Sequence, residues 1–204
     1  MTTFPNWDAA KDHLCAVDPV LAPWIRRDPG ACLTPRAQPF RTLVRSVVSQ
    51  QLSIKAAQTI WDRFEALCGE ISPEALLAQS VESIRATGLS GRKASYVQGI
   101  AQEPWRLEMQ RYTTLTDEAA IQLLTEYRGV GVWTAQMFLM FTLCRGDVLP
   151  LGDVGLRRAV ERHYAKGERL SDTEIETIAQ PWQPWRTVAT WYLWRSLDPL
   201  PVTY

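Results

Sequence analysis

Two glycines one residue apart, Gly129 and Gly131, constrain this chain more than any other feature. They lie in Leu124-Thr125-Glu126-Tyr127-Arg128-Gly129-Val130-Gly131-Val132-Trp133-Thr134-Ala135, between a helical pattern ending near Tyr127 and another starting near Val132. Glycine tolerates positive φ and has no Cβ, so a Gly-x-Gly turn lets two helices meet in a tight hairpin. It also leaves backbone N–H groups facing outward at the start of the second helix, an arrangement suited to a phosphate oxygen. Downstream, Leu149-Pro150-Leu151-Gly152-Asp153-Val154-Gly155-Leu156-Arg157 sets a lone carboxylate, Asp153, at the mouth of the next helix.

The rest of the chain carries helical signals. Phe40, Leu43, Val44, Val47 and Val48 form one apolar stripe, which Gln50-Gln51-Leu52-Ser53 interrupts. Ser53 can cap a helix from Ile54 to about Leu67, and Ser72-Pro73-Glu74 opens another that ends before Gly88. Gly91, Thr116-Asp117-Glu118, Asp172 and the segment 184–197 supply further helices, with Tyr96, Val97 and Ile100 facing inward on the one that begins at Gly91. No period-2 apolar stretch is long enough to read as a strand. The expectation is an all-α chain of eight to ten helices. The helix-hairpin-helix should span 117–144, within two lobes at about 40–125 and at 1–39 plus 126–204, with a cleft between them as the natural ligand site. Pro19, Pro23, Pro29, Pro35 and Pro39 break up the first forty residues, which read as a short helix and an irregular strap.

Composition narrows the function classes. The 204 residues allow one sizeable domain or two small lobes. No apolar run approaches the roughly 18–20 residues that cross a bilayer, so no membrane partner is expected. The N-terminus lacks the basic and apolar regions of a secretory signal, and a cytoplasmic location follows (nucleoid-associated in a bacterium). Cys15, Cys32, Cys68 and Cys144 are scattered, which supports neither zinc nor an iron–sulfur cluster. With 22 basic and 22 acidic residues, the chain does not coat nucleic acid through net charge. Local basic stretches exist at Arg85, Arg92, Lys93, Arg106 and Arg111, and at Arg157, Arg158 and Arg162. Each reads either as a solvated helix face or as a set of phosphate contacts.

Four stretches together resemble the alkylpurine DNA glycosylases of the DNA-3-methyladenine glycosylase II type, within the helix-hairpin-helix (HhH-GPD) glycosylase superfamily. They are Ser49-Gln50-Gln51-Leu52-Ser53-Ile54-Lys55-Ala56-Ala57, Gly88-Leu89-Ser90-Gly91-Arg92-Lys93-Ala94, the hairpin through Ala135, and Pro184-Trp185-Arg186 with Trp191-Tyr192-Leu193-Trp194-Arg195-Ser196. With Asp153 they span about residues 40–197, most of the chain, as a single glycosylase domain without the N-terminal β-rich domain that some relatives carry.

The resemblance implies roles. The hairpin, through Gly129, Val130, Gly131 and Thr134, would grip a phosphate of double-stranded DNA, and Arg128 would stand in for the basic residue that many relatives have after the second glycine. It leaves room for a Na+ or K+ ion on the backbone carbonyls of Thr125, Tyr127 and Val130, with no other cofactor. Gln50, Gln51 and Leu52 would enter the duplex where the target base has left, and that base would rotate out. Asp153 would be the catalytic carboxylate, although an Asp before a helix is also an ordinary N-cap; the two roles are compatible. Trp133, Trp194 and Met137 would wall the base pocket, with the indole faces attracting a cationic purine; core packing is the alternative for Met137. His163 reads as a surface residue.

Members of the superfamily that cut the DNA backbone have a lysine where this chain has Trp133, so the resemblance implies a monofunctional enzyme that leaves an abasic site. Its substrates would be alkylated purines such as 3-methyladenine and 7-methylguanine, and a monomer is expected because DNA must enter the cleft. Two alternatives stay open: a non-catalytic damaged-DNA binder, and a glycosylase for other lesions such as ethenoadducts or N1-methyl bases.

Overall fold

Polar caps decide where most of the helices begin. The computed structural model describes Phe4 and residues 6–197. The helices are α1 (Trp7–Val17), α2 (Ala22–Arg27), α3 (Pro39–Ser49), α4 (Ile54–Cys68), α5 (Pro73–Leu77), α6 (Val81–Ala86), α7 (Gly91–Gln102), α8 (Asp117–Thr125), α9 (Val132–Phe141), α10 (Val154–Tyr164), α11 (Asp172–Ala179) and α12 (Arg186–Leu197), and there is no strand among the described residues. Hydroxyls of Ser53, Ser72, Ser80, Ser90, Thr116 and Ser171 each accept a backbone N–H in the first turn that follows. At α11, Glu174 returns the bond to complete a capping box.

The twelve α-helices among the described residues exceed the eight to ten expected, and the reason is local. The single helix read from Ser72 to Gly88 is two, α5 and α6, because Ser80 caps a fresh start by accepting from the Ser83 N–H at 3.1 Å. Helices of five or six residues such as α2, α5 and α6 are too short to display a period. The first forty residues hold two helices rather than one, and the strap after them is tied down by its Ala31 carbonyl, which accepts from Trp7 Nε1 at 3.0 Å and from the Tyr192 hydroxyl at 3.1 Å.

The described residues form two compact units, one of Phe4 and residues 6–35 with 139–197 and the other of residues 36–138. The division falls inside α9 and not near residue 125, so the glycine hairpin belongs wholly to the second unit.

In the first unit α12 is the central element, with every residue from Thr187 to Trp194 buried, as expected of a helix with apolar surface all round. It packs on α10, α2 and α1. Asp18 anchors the same core. Its carboxylate accepts the Tyr164 hydroxyl and the Trp182 indole N–H, both at 2.6 Å, as well as the backbone N–H groups of Val20 and Leu21. In the second unit α7 packs on α3, α5 and α6, and α3 on α4, with Leu43, Val44, Val47 and Val48 of the predicted stripe fully buried.

Candidate active site

The loop that delivers Asp153 is sewn to the start of α12. Arg186 holds the Asp147 carboxylate through Nε at 2.7 Å and Nη2 at 2.9 Å. The Thr187 hydroxyl donates to the Arg145 carbonyl at 2.6 Å and accepts the Val148 N–H at 3.0 Å. On the other side, Arg157 Nε donates to the Leu151 carbonyl at 2.7 Å and pairs with Asp172. Arg157 is therefore committed internally, whereas its neighbours Arg158 and Arg162 are exposed.

Asp153 itself caps α10. Its Oδ1 accepts the Leu156 N–H at 2.6 Å and the Trp194 indole N–H at 2.7 Å, and the residue is only 4% exposed. The helix N-terminus adds its partial positive charge to these two donors. Among the side-chain caps described above, Asp153 alone is an acid and alone is buried; the Ser and Thr caps are exposed or half-buried. Burying a charge costs free energy that a serine at the same position would avoid. Capping alone therefore does not account for this residue.

Trp194 makes a bond that the sequence did not suggest. It is 4% exposed, its ring lies parallel to Phe141 (centroids 6.2 Å apart, planes at 5°), and its N–H is given to Asp153. Gly155 lies against the pair: a Cβ there would come within 2.9 Å of Trp194 Cδ1 and 3.1 Å of Asp153 Oδ1. Sequence reasoning passed over Gly155, although a glycine in the first turn of a helix weakens it and is a flag in its own right.

In the second unit the hairpin is built around one glycine. Gly129 has φ +90°, and a Cβ on it would fall 2.2 Å from the Tyr96 ring. Gly131 has neither constraint: its φ is not positive, nothing lies within 4 Å of where a Cβ would sit, and it is exposed. Val130 is buried, and its N–H donates to the Tyr127 carbonyl at 3.0 Å, so Val130 closes the turn and does not present an amide outward.

The stretch 50–52 divides in two. Gln50 Nε2 donates to the Gly129 carbonyl at 3.0 Å and to the Thr134 hydroxyl at 3.2 Å. Gln50 and the buried Thr134 thus brace the hairpin from within, a role that their sequence context did not suggest. Gln51, at φ +57°, and Leu52, 37% exposed, form the outward tip. Lys93 is neither on a solvated face nor free for a phosphate: its ammonium donates to the carbonyls of Val48 at 2.8 Å and Gln50 at 2.6 Å. Burial holds its pKa below the ordinary lysine value.

The remaining candidates are scattered. Arg128 is exposed and leans over the Tyr96 ring at 5.9 Å. Trp133 is half-buried and Met137 buried. Arg106 pairs with Glu103 and Glu126, while Arg85, Arg92 and Arg111 are exposed. His163 is not a surface residue. It is half-buried, bonded to the Ser196 hydroxyl at 2.8 Å, with its pKa lowered by burial and by Arg162.

Comparison with known proteins matches residues 44–186 to the family described as HhH-GPD superfamily base excision DNA repair protein. DNA-3-methyladenine glycosylase 1 of Schizosaccharomyces pombe is 33% identical over 170 residues, covering 79% of this chain and 73% of that protein. The solved structure of a DNA-3-methyladenine glycosidase from Bacillus halodurans superposes with a TM-score of 0.81 at 36% identity, covering 93% of this chain and 89% of the other. A 3-methyladenine DNA glycosylase of S. pombe in complex with abasic DNA gives the same TM-score at 28% identity, covering 96% of this chain and 100% of that one.

Proposed function

Because this chain belongs to the HhH-GPD superfamily of base excision DNA repair proteins, we propose that it is a DNA glycosylase. It rotates an alkylated, positively charged purine such as 3-methyladenine or 7-methylguanine out of double-stranded DNA and hydrolyses its bond to deoxyribose. The observation that carries this reading is the buried carboxylate cap, Asp153, bonded through one oxygen to Leu156 and Trp194.

The chemistry needs little else. As the C1′–N bond breaks, its electron pair leaves with the base and neutralises the charge that alkylation placed there, so no general acid is required. Positive charge develops on the sugar, and the Asp153 carboxylate stabilises it electrostatically. Water then adds to C1′ and loses a proton, which leaves an abasic site. Trp133 offers an indole face to the cationic base, a contact that a neutral purine matches less well. An indole forms no Schiff base with the sugar, so the enzyme is monofunctional.

The hairpin grips the strand through the exposed amide rim at Gly131, with Arg128 beside it. The carbonyls of Thr125, Tyr127 and Val130 are neutral oxygen donors of the kind that suits Na+ or K+, and the Tyr127 oxygen keeps a lone pair after accepting from Val130. An ion held there would add positive charge for the phosphate.

Two expected results test this. On duplexes that each carry one defined lesion, the protein should release free alkylated purine and leave strands that break only after alkali. Release from no lesion would leave a non-catalytic DNA binder; nicking together with covalent trapping by borohydride would refute monofunctionality. Second, Gly131→Ala should leave Tm unchanged, since the added methyl meets nothing in the protein. It should weaken binding to damaged and undamaged duplex alike by about ten-fold, the worth of one hydrogen bond to a charged group. Unchanged affinity in a binding titration would remove Gly131 from the interface.

A further inference from the structure

Asp153, Trp194, Phe141 and Gly155 form a single mechanical arrangement. Oδ1 of Asp153 takes two donors, the Leu156 amide at 2.6 Å and the Trp194 indole at 2.7 Å. The amide belongs to the helix backbone, and the indole is kept from tilting by its parallel contact with Phe141. Two anchored donors on one oxygen leave the carboxylate little rotational freedom.

Gly155 makes the approach possible. Its φ is not positive, so the backbone does not demand glycine, and glycine weakens a helix relative to alanine. Space demands it instead. A Cβ would lie 2.9 Å from Trp194 Cδ1, 3.1 Å from its Nε1 and 3.1 Å from Asp153 Oδ1, so a side chain at 155 forces the bonded pair to shift. The donor's chemistry is also informative. An indole N–H orients a carboxylate without cancelling its charge, whereas an arginine or lysine in its place would neutralise the anion that the sugar cation needs.

We propose that Trp194 and Gly155 are positioning residues for the glycosylase reaction: the indole N–H aims the Asp153 carboxylate, and the missing side chain at 155 lets it reach. This rests on the reading of Asp153 as the carboxylate that meets the developing sugar cation. Neither residue touches the reacting atoms. Both act through Asp153.

The test replaces Trp194 with 3-benzothienylalanine by site-specific incorporation. Sulfur then stands where the N–H was, and the ring shape and the stack on Phe141 are retained. Single-turnover release of 7-methylguanine should fall about ten- to a hundred-fold, the usual cost of a loosened catalytic group. Tm and the Kd for abasic-site duplex should stay at parent values. A purely packing role would leave the release rate unchanged, and that result overturns the proposal.

Gly155→Ala should lower release in the same way, and its effect should shrink in a Trp194→Phe background, where the N–H through which it acts is already gone. Losses that simply multiply would also overturn the proposal. Asp153→Asn, run alongside, separates the two levels. If that variant keeps its activity, the catalytic reading of Asp153 has failed. If it is inactive while the benzothienyl variant matches the parent, only the positioning role has failed.

Discussion

Asp153→Asn is expected to cut single-turnover release of an alkylated purine by about a thousand-fold, the upper range for removing one electrostatic stabiliser of a transition state. The fold should persist. Asparagine caps helices as well as aspartate does, and its side-chain oxygen can still accept from Leu156 and Trp194. The remaining difference is the charge that faces the helix dipole, so Tm should move by no more than about 4 °C. Binding to damaged duplex should be equal or tighter, because a negative charge near phosphates has been removed. A binding titration beside the release assay reads both. Release within about ten-fold of the parent would show that the carboxylate contributes no more than an ordinary hydrogen-bonded group, and Asp153 would then be a structural cap.

Gly129→Ala is expected to be the most damaging single-methyl change in the hairpin. The residue sits at φ +90°, and the new Cβ would fall 2.2 Å from the Tyr96 ring, where no rotation of the methyl relieves the overlap. Left-handed strain costs about 1 kcal/mol, and overpacking adds about 1–3 kcal/mol. For a chain of this length, that corresponds to a Tm loss on the order of 10 °C in thermal unfolding. The Gly129 carbonyl is also the acceptor for Gln50, so a displaced turn releases the brace to the 50–52 tip. Gly131→Ala, two positions away, should show none of this instability. The two glycines look alike in sequence and differ in surroundings: Gly129 makes room for the protein's own Tyr96, and a Cβ at Gly131 would meet open space. A Gly129→Ala variant with parental Tm would mean that Tyr96 moves away at no cost.

Several features could be read directly from the residue order. Each Ser or Thr expected to begin a helix does so where the structure describes a cap, and Asp153 is the N-cap of α10. The Gly-x-Gly turn joins two helices as expected. Other features were not legible. Gln50 was read as a group that enters DNA, and its bonds to Gly129 and Thr134 were not foreseen. Trp194 was read as a pocket wall, and its bond to Asp153 was not foreseen. Lys93 was read as part of a charged face and is instead bonded to two carbonyls around the end of α3. In each case residue type was informative about chemistry and silent about direction.

The boundary between the two kinds of knowledge follows from range. Caps and turns depend on backbone angles and on donors within about four residues, and such information is written contiguously in the chain. By itself, then, the sequence determined the all-helical class, the hairpin, and the placing of an acid at the head of α10. Only the tertiary structure decided what that acid and that hairpin are fastened to. Trp194 reaches Asp153 across 41 positions, and Gln50 reaches Thr134 across 84. The aim of a buried N–H is set by packing around both partners, as Phe141 and Gly155 set it here, and no local pattern encodes that.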